Sequence, residues 1–239
     1  SYTGVKTGDK VEIDMTQKKL NKVFINTDVE NVDVTLTKAY DNTGWNSFYV
    51  PFDITLTEEM TSKFNFAELY NTSLTSLNDA QEQNVVVTFR TLKAGDKLSA
   101  YFPCLIQSTA IGTQSLTAQG VTLKSNTKVA PIVTTSTKEK YTYNGVMEKT
   151  TIADKKGYYL RSATNSFVYN SNPETFLRPF TFYITIQNLS DDSYILPSDA
   201  TAQKVMFRVI DGGEATGITD LNTDAKNNDG KVYNLQGIE

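Results

Sequence analysis

The sequence predicts an all-β fold, an antiparallel β-sandwich with at most one short helix. Three observations carry this: apolar and polar side chains alternate with a period of two, Thr, Asn and Ser are heavily used, and one stretch alone carries helical start signals. Val11, Ile13 and Met15 share one face while Glu12 and Asp14 point to the other, which is a strand with one wet side. Val32, Val34 and Leu36 repeat the pattern against Asn31, Asp33 and Thr35. Further strands are expected over residues 47–55, 85–91, 101–107, 116–123, 140–147, 158–161, 180–187 and 205–210. The helix is expected at 57–66, where Thr57 is a capping residue and Glu58 and Glu59 supply first-turn carboxylates before Met60, Phe64 and Phe66.

Residues 1–212 read as the β-sandwich region, with a subdivision near 40–45 or 125–137 left open by the sequence. Residues 213–239 read as a linker plus a short C-terminal strand-like segment. The break begins at Gly212-Gly213, residues 222–230 are polar, and Lys231-Val232-Tyr233-Asn234-Leu235 regains alternation. Burying Val232, Tyr233 and Leu235 roughly balances the cost of ordering them, so backbone pairing along a sheet edge decides whether this segment docks; docking is the expectation.

Composition narrows function by exclusion. Apolar residues are 39% and charged residues 21% of 239, so a packed core is expected. The net charge is -4 and the basic residues are dispersed, which argues against a nucleic-acid partner. The chain contains no histidine, so Cys-His and Ser-His-Asp catalysis are excluded. Its one cysteine, Cys104, sits in the apolar run from Tyr101 to Ile106 and reads as a buried, inert thiol. No stretch approaches the roughly 20 apolar residues of a membrane span. The abrupt beginning at Ser1-Tyr2-Thr3-Gly4 is read as an export leader removed or left out.

Two regions carry a resemblance. Ala215-Thr216-Gly217-Ile218-Thr219-Asp220, followed by Gly230-Lys231-Val232-Tyr233-Asn234-Leu235-Gln236-Gly237, is similar to the C-terminal TGI, spacer, VYNLQG segment of secreted and surface proteins from gut and oral Bacteroidetes. Members frequently continue with Gln-Arg-Val, whereas this chain departs to Ile238-Glu239. In the body, residues 45–52, Ala94-Gly95 with 101–106, Tyr158-Tyr159-Leu160 and 178–183 resemble the β-rich module that often precedes such a tail. The resemblance implies an exported, cell-surface or adhesion-like β-sandwich, often attached to leucine-rich-repeat or other binding domains, and it brings no catalytic residues or cofactor.

The remaining site candidates are weighed against structural readings. Asp220-Leu221-Asn222-Thr223-Asp224 resembles the start of a calcium loop, but Ala225 and Lys231 stand where glycine and a bidentate glutamate are needed, so no metal is expected. The adjacent pairs Glu58-Glu59 and Asp191-Asp192 are candidates for glycoside hydrolysis, and structural charge is the better account of both. Trp45, Tyr40, Tyr141, Tyr143, Tyr158 and Tyr169 are candidates for a sugar-stacking platform, with core packing as the alternative. Asn71 and Asn188 fit a glycosylation pattern of little weight in a bacterial protein. The expected function is a non-enzymatic secreted or cell-surface module for adhesion or for binding a protein or polymer. The alternative is a carbohydrate-binding module of a polysaccharide-utilisation system.

Overall fold

A computed structural model describes residues 4–16, 20–74, 84–197 and 205–212, and the backbone of 231–233. In chain order its strands are β1 (Lys10–Asp14), β2 (Val29–Tyr40), β3 (Asn46–Phe48), β4 (Ile54–Thr55), β5 (Phe64–Leu74), β6 (Val85–Leu92), β7 (Lys97–Leu98), β8 (Cys104–Ser108) and β9 (Gly112–Leu123). They continue with β10 (Ile132–Thr135), β11 (Glu139–Val146), β12 (Thr150–Thr151), β13 (Tyr158–Arg161), β14 (Ser166–Tyr169), β15 (Phe176–Leu177), β16 (Thr181–Asn188), β17 (Val205–Ile210) and β18 (Lys231–Tyr233). One helix, α1 (Glu58–Lys63), and a 3-10 turn at Ala153–Lys155 interrupt them. The protein is all-β and sandwich-like.

Three sheets stack around two apolar clusters. The six-stranded sheet has the order β18-β17-β6-β5-β8-β3, the three-stranded sheet β1-β2-β9, and the five-stranded sheet β10-β11-β16-β13-β14. Period-two geometry divides the six-stranded sheet between its neighbours. Phe48, Phe64, Phe66, Cys104 and Ile106 pack with Val11, Ile13, Val34, Leu36 and Leu116 of the three-stranded sheet. Ala67, Leu69, Val87, Phe89, Leu105 and Phe207 pack on the other side with Tyr141, Tyr143, Phe167, Phe182 and Ile184 of the five-stranded sheet. Both faces of the central strands are therefore dry, which is why Val85-Val86-Val87-Thr88-Phe89 is a continuous run with no wet alternation; all five side chains are buried.

Most pairing is antiparallel, as the sequence predicts, but β1 runs parallel to β2 and β17 runs parallel to β6. Neither partner pair is joined by a tight turn, so the antiparallel constraint of a hairpin does not act on them. The chain crosses between the three-stranded and six-stranded sheets at residues 40–45, and residues 125–137 carry it into the five-stranded sheet and include its strand β10. β18 lies at the edge of the six-stranded sheet, antiparallel to β17, with Tyr233 opposite Phe207 and Lys231 opposite Val209.

The helix begins where the sequence predicts and ends early. The Thr57 hydroxyl accepts from the Met60 N–H at 3.2 Å, so the cap is formed. After Lys63 the backbone turns extended, and Phe64 and Phe66 belong to β5, not to the helix. Alternation about Asn65 drives both rings into the core on one strand face, and pairing with β8, Phe64 opposite Ser108, outweighs a further helical turn. The strand expected at 47–55 is likewise two separate strands, β3 and β4, divided at Pro51.

Candidate functional site: an unguarded strand edge and its groove

β9 is twelve residues long and pairs with β2 along one side only, with no strand on its other side among the described residues. Its sequence, Gly112-Thr113-Gln114-Ser115-Leu116-Thr117-Ala118-Gln119-Gly120-Val121-Thr122-Leu123, contains no charge and no proline. Charge and proline are two of the devices that normally protect sheet edges from pairing with other chains; a bulge, a third, is present only toward the end of β9, around Gly120. The opposite edge of the same sheet carries charge: β1 has Lys10, Glu12 and Asp14 on its exposed positions. The two edges thus differ in sequence as well as in place.

An open groove of about 850 Å³ runs beside β9. One wall is residues 117–122; the other is Asp53, Ile54, Thr55, Thr57, Glu59 and Met60, from β4 to the first turn of α1. Six consecutive residues of β9 line it, whereas a strand face contributes every second residue. The groove therefore borders the edge of the strand. Its deeper positions are apolar, with Ile54, Met60, Ala118 and Val121 buried, and its rim is polar, with Thr55, Thr57, Glu59, Thr117 and Gln119 exposed. Near the groove the β2–β9 ladder is irregular, with register shifts between Val29 and Val34. Gly120 adopts φ 61 there, and its N–H reaches the Asp33 carboxylate at 2.9 Å.

At the C-terminal end of β9 the groove is charged. Asp53 accepts from the Ala100 N–H at 2.8 Å, and its Oδ2 meets Lys97 Nζ at 3.0 Å and Lys124 Nζ at 3.1 Å. Partial burial works to raise the Asp53 pKa, but the Ala100 N–H and the two ammonium groups outweigh it and hold the carboxyl at about 2. Two cations share this one carboxylate, and a second carboxylate, Asp28, accepts from the Ser125 N–H at 2.7 Å next along the chain. The exposed Glu59 at the other wall is paired with Lys63 at 2.9 Å, one helical turn along.

The residues singled out from sequence fare differently. Trp45, Tyr40, Tyr141, Tyr143 and Tyr158 are buried, with Tyr141 and Tyr143 fully so, and Tyr169 is half-buried against Tyr158 at a ring separation of 5.7 Å. The first five are core residues and present no ring to solvent for sugar stacking, because β2, β11 and β13 and the residue before β3 turn those side chains inward between sheets. Cys104 is fully buried; burial and the neighbouring Glu68 carboxylate push its thiol pKa well up, away from nucleophilic use. Glu58 and Glu59 sit in the first turn of α1. Asp191 accepts from both the N–H and the hydroxyl of Ser193 at 3.0 and 2.6 Å, while Asp192 pairs with Lys140 at 2.6 Å, so each of the two carboxylates has its own structural partner. Asn71 lies within β5 and Asn188 ends β16, its amide donating to Ser193 Oγ at 2.8 Å. The calcium-like stretch 220–224 lies outside the described residues. Among the described residues no group of three His, Cys, Asp or Glu side chains is arranged to hold a metal, and no helix is long and apolar enough to cross a membrane.

Sequence reasoning did not single out the groove. The signal available was the absence of charge and proline over 112–123; the Asp53, Lys97 and Lys124 cluster carries none, because its members lie far apart in sequence and meet only in the fold. In comparisons with protein-family models, curated proteins and solved structures, nothing matches this chain.

Proposed function

We propose that this chain is a non-enzymatic module, secreted or displayed on a cell surface, that binds a protein partner by adding a strand to the free edge of β9. The observation that carries the reading is the twelve-residue edge without charge or proline, six residues of which line an 850 Å³ groove. An exposed edge of this kind offers a row of backbone donors and acceptors, and an incoming extended segment satisfies them while its side chains find the groove walls. Export and adhesion are supported by the likeness of residues 215–220 and 230–237, and of the body from 45 to 183, to secreted and surface proteins of Bacteroidetes. The carbohydrate-binding alternative is disfavoured because no tryptophan, tyrosine or phenylalanine lines the groove and the sequence's aromatic candidates are core.

The test probes an array of extended peptides and a glycan array with the same protein, wild type and carrying Thr117→Lys with Gln119→Lys. The reading expects peptide binding that the paired lysines abolish. Binding to glycans alone, or peptide binding indifferent to the two lysines, overturns it.

A further inference from the structure

We propose that the side chains of Lys38 and Asn46 join in an amide bond with loss of ammonia, a cross-link that ties β2 to β3 between facing sheets. It holds whether or not β9 takes a partner.

Strand period places both groups. Leu36, Lys38 and Tyr40 fall on one face of β2, and Asn46 and Phe48 on one face of β3. Leu36, Tyr40 and Phe48 belong to one apolar cluster, so Lys38 and Asn46 point into the space between the three-stranded and six-stranded sheets. Asn46 Oδ1 accepts from Lys38 Nζ at 2.8 Å, and with a C=O length of about 1.23 Å the amide carbon lies no more than about 4.0 Å from the amine. Attack begins at roughly 3–3.5 Å, a small adjustment away. Asn46 Nδ2 donates to the Gly44 carbonyl at 3.0 Å, which holds the amide in place.

Lys38 as a residue is not fully buried, but its amine end is enclosed, in a small cavity walled by Phe48, Phe64, Leu116 and Phe180. Enclosure lowers its pKa to about 8, with the exposed Asp41 carboxylate opposing, so part of the population is the neutral nucleophile near neutral pH. Tyr40, the other titratable group at the amine, is pushed up by burial and stays a neutral phenol. The Nζ–Cγ bond forms, the Cγ–Nδ2 bond breaks, and one Nζ proton leaves with Nδ2 as ammonia. No oxidant or cofactor enters, and contact within the fold replaces a bimolecular encounter. No Asp or Glu lines the cavity, so no carboxyl group there assists proton transfer and the step is slow. Freshly isolated protein keeps the free amine, and the bond accumulates on standing.

The full chain is kept at about pH 7 and about pH 9 and followed by intact mass and by mapping of its proteolytic peptides. The proposal expects the loss of one ammonia, carried by a branched peptide containing Lys38 and Asn46. It forms about tenfold faster at the higher pH, because the neutral fraction rises by that factor across a pKa of about 8. Lys38→Arg and Asn46→Ala abolish the branched peptide, and so does unfolding the wild-type chain in urea, which keeps the test independent of how the variants fold. Lys38 and Asn46 recovered only in linear peptides after prolonged standing of the folded protein at both pH values overturn the proposal. Ammonia loss without the branch is imide formation within an asparagine and overturns it as well, as does a branched peptide that forms equally in the unfolded chain.

Discussion

Lys38 Nζ donates to Asn46 Oδ1 at 2.8 Å, joining β2 of the three-stranded sheet to β3 of the six-stranded sheet. The ammonium also stands over the Tyr40 ring, 5.2 Å from its centre, and lines a cavity of only about 20 Å³ among Phe48, Phe64 and Phe180. That is room for about one water molecule.

This setting gives stability a pH dependence of definite sign. Burial lowers the Lys38 pKa from 10.5 to about 8, with Asp41 acting weakly in the other direction. Between those values the unfolded chain holds a proton that the folded chain has released, so stability rises with pH across the window. Burial pushes Tyr49 the other way, up to about 12, and raises Tyr40 and Tyr101 as well; the folded state keeps phenolic protons that the unfolded chain loses above about pH 10. The melting temperature is expected to climb from about pH 8 to about pH 10 and then fall. Lys38→Met is expected to flatten the climb and spare the fall; an identical climb in that variant sinks the account.

Cys104 is expected to resist thiol reagents in the native protein and to react only on global unfolding, because it is fully buried and its neighbours Leu105 and Ile106 are buried in the apolar clusters on the two faces of β8. Labelling kinetics against denaturant measure this. Reaction at the rate of a free thiol in native buffer contradicts it.

Gly145 pairs with Phe182 across β11 and β16, and a methyl group on it would collide with the ring of Tyr49. Gly145→Ala is expected to cost about 1–3 kcal/mol, the range of overpacking. The cost should shrink in a Tyr49→Leu background, where the ring is gone; an additive double mutant, measured by denaturant unfolding, rules the collision out.

Phe182 touches the rings of Phe89, Tyr143 and Phe167 at centroid separations of 6.4, 6.2 and 6.3 Å, linking the six-stranded sheet to the five-stranded one. Phe182→Ala is expected to cost about 3–5 kcal/mol in chemical unfolding. A loss below about 1 kcal/mol would mean that the two sheets are not held by this cluster.

How much of this was legible depends on which faces of a strand are dry. β1 and β2 show their alternation plainly because one side of each meets water: Val11 and Ile13 are buried while Glu12 is exposed. The Thr57 cap is equally plain, since it is a local contact. β5 was hidden by the same locality, its opening Phe64-Asn65-Phe66 reading as the tail of a helix until pairing with β8 is known. For Tyr141 and Tyr143 the period was readable but its direction was not, because alternation alone does not say which face is covered by another sheet. The groove depends on sheet order and on contacts such as Lys124 with Asp53, and these arise only when distant segments pack.

The strand-edge claim is tested most directly by amide hydrogen exchange of the protein with and without a saturating extended peptide selected from the array. The account predicts new protection concentrated in β9, at those amides of Gly112–Leu123 that are not already bonded to β2, with little change in β1 at the guarded edge of the same sheet. Protection that appears elsewhere while β9 exchanges as before would contradict it.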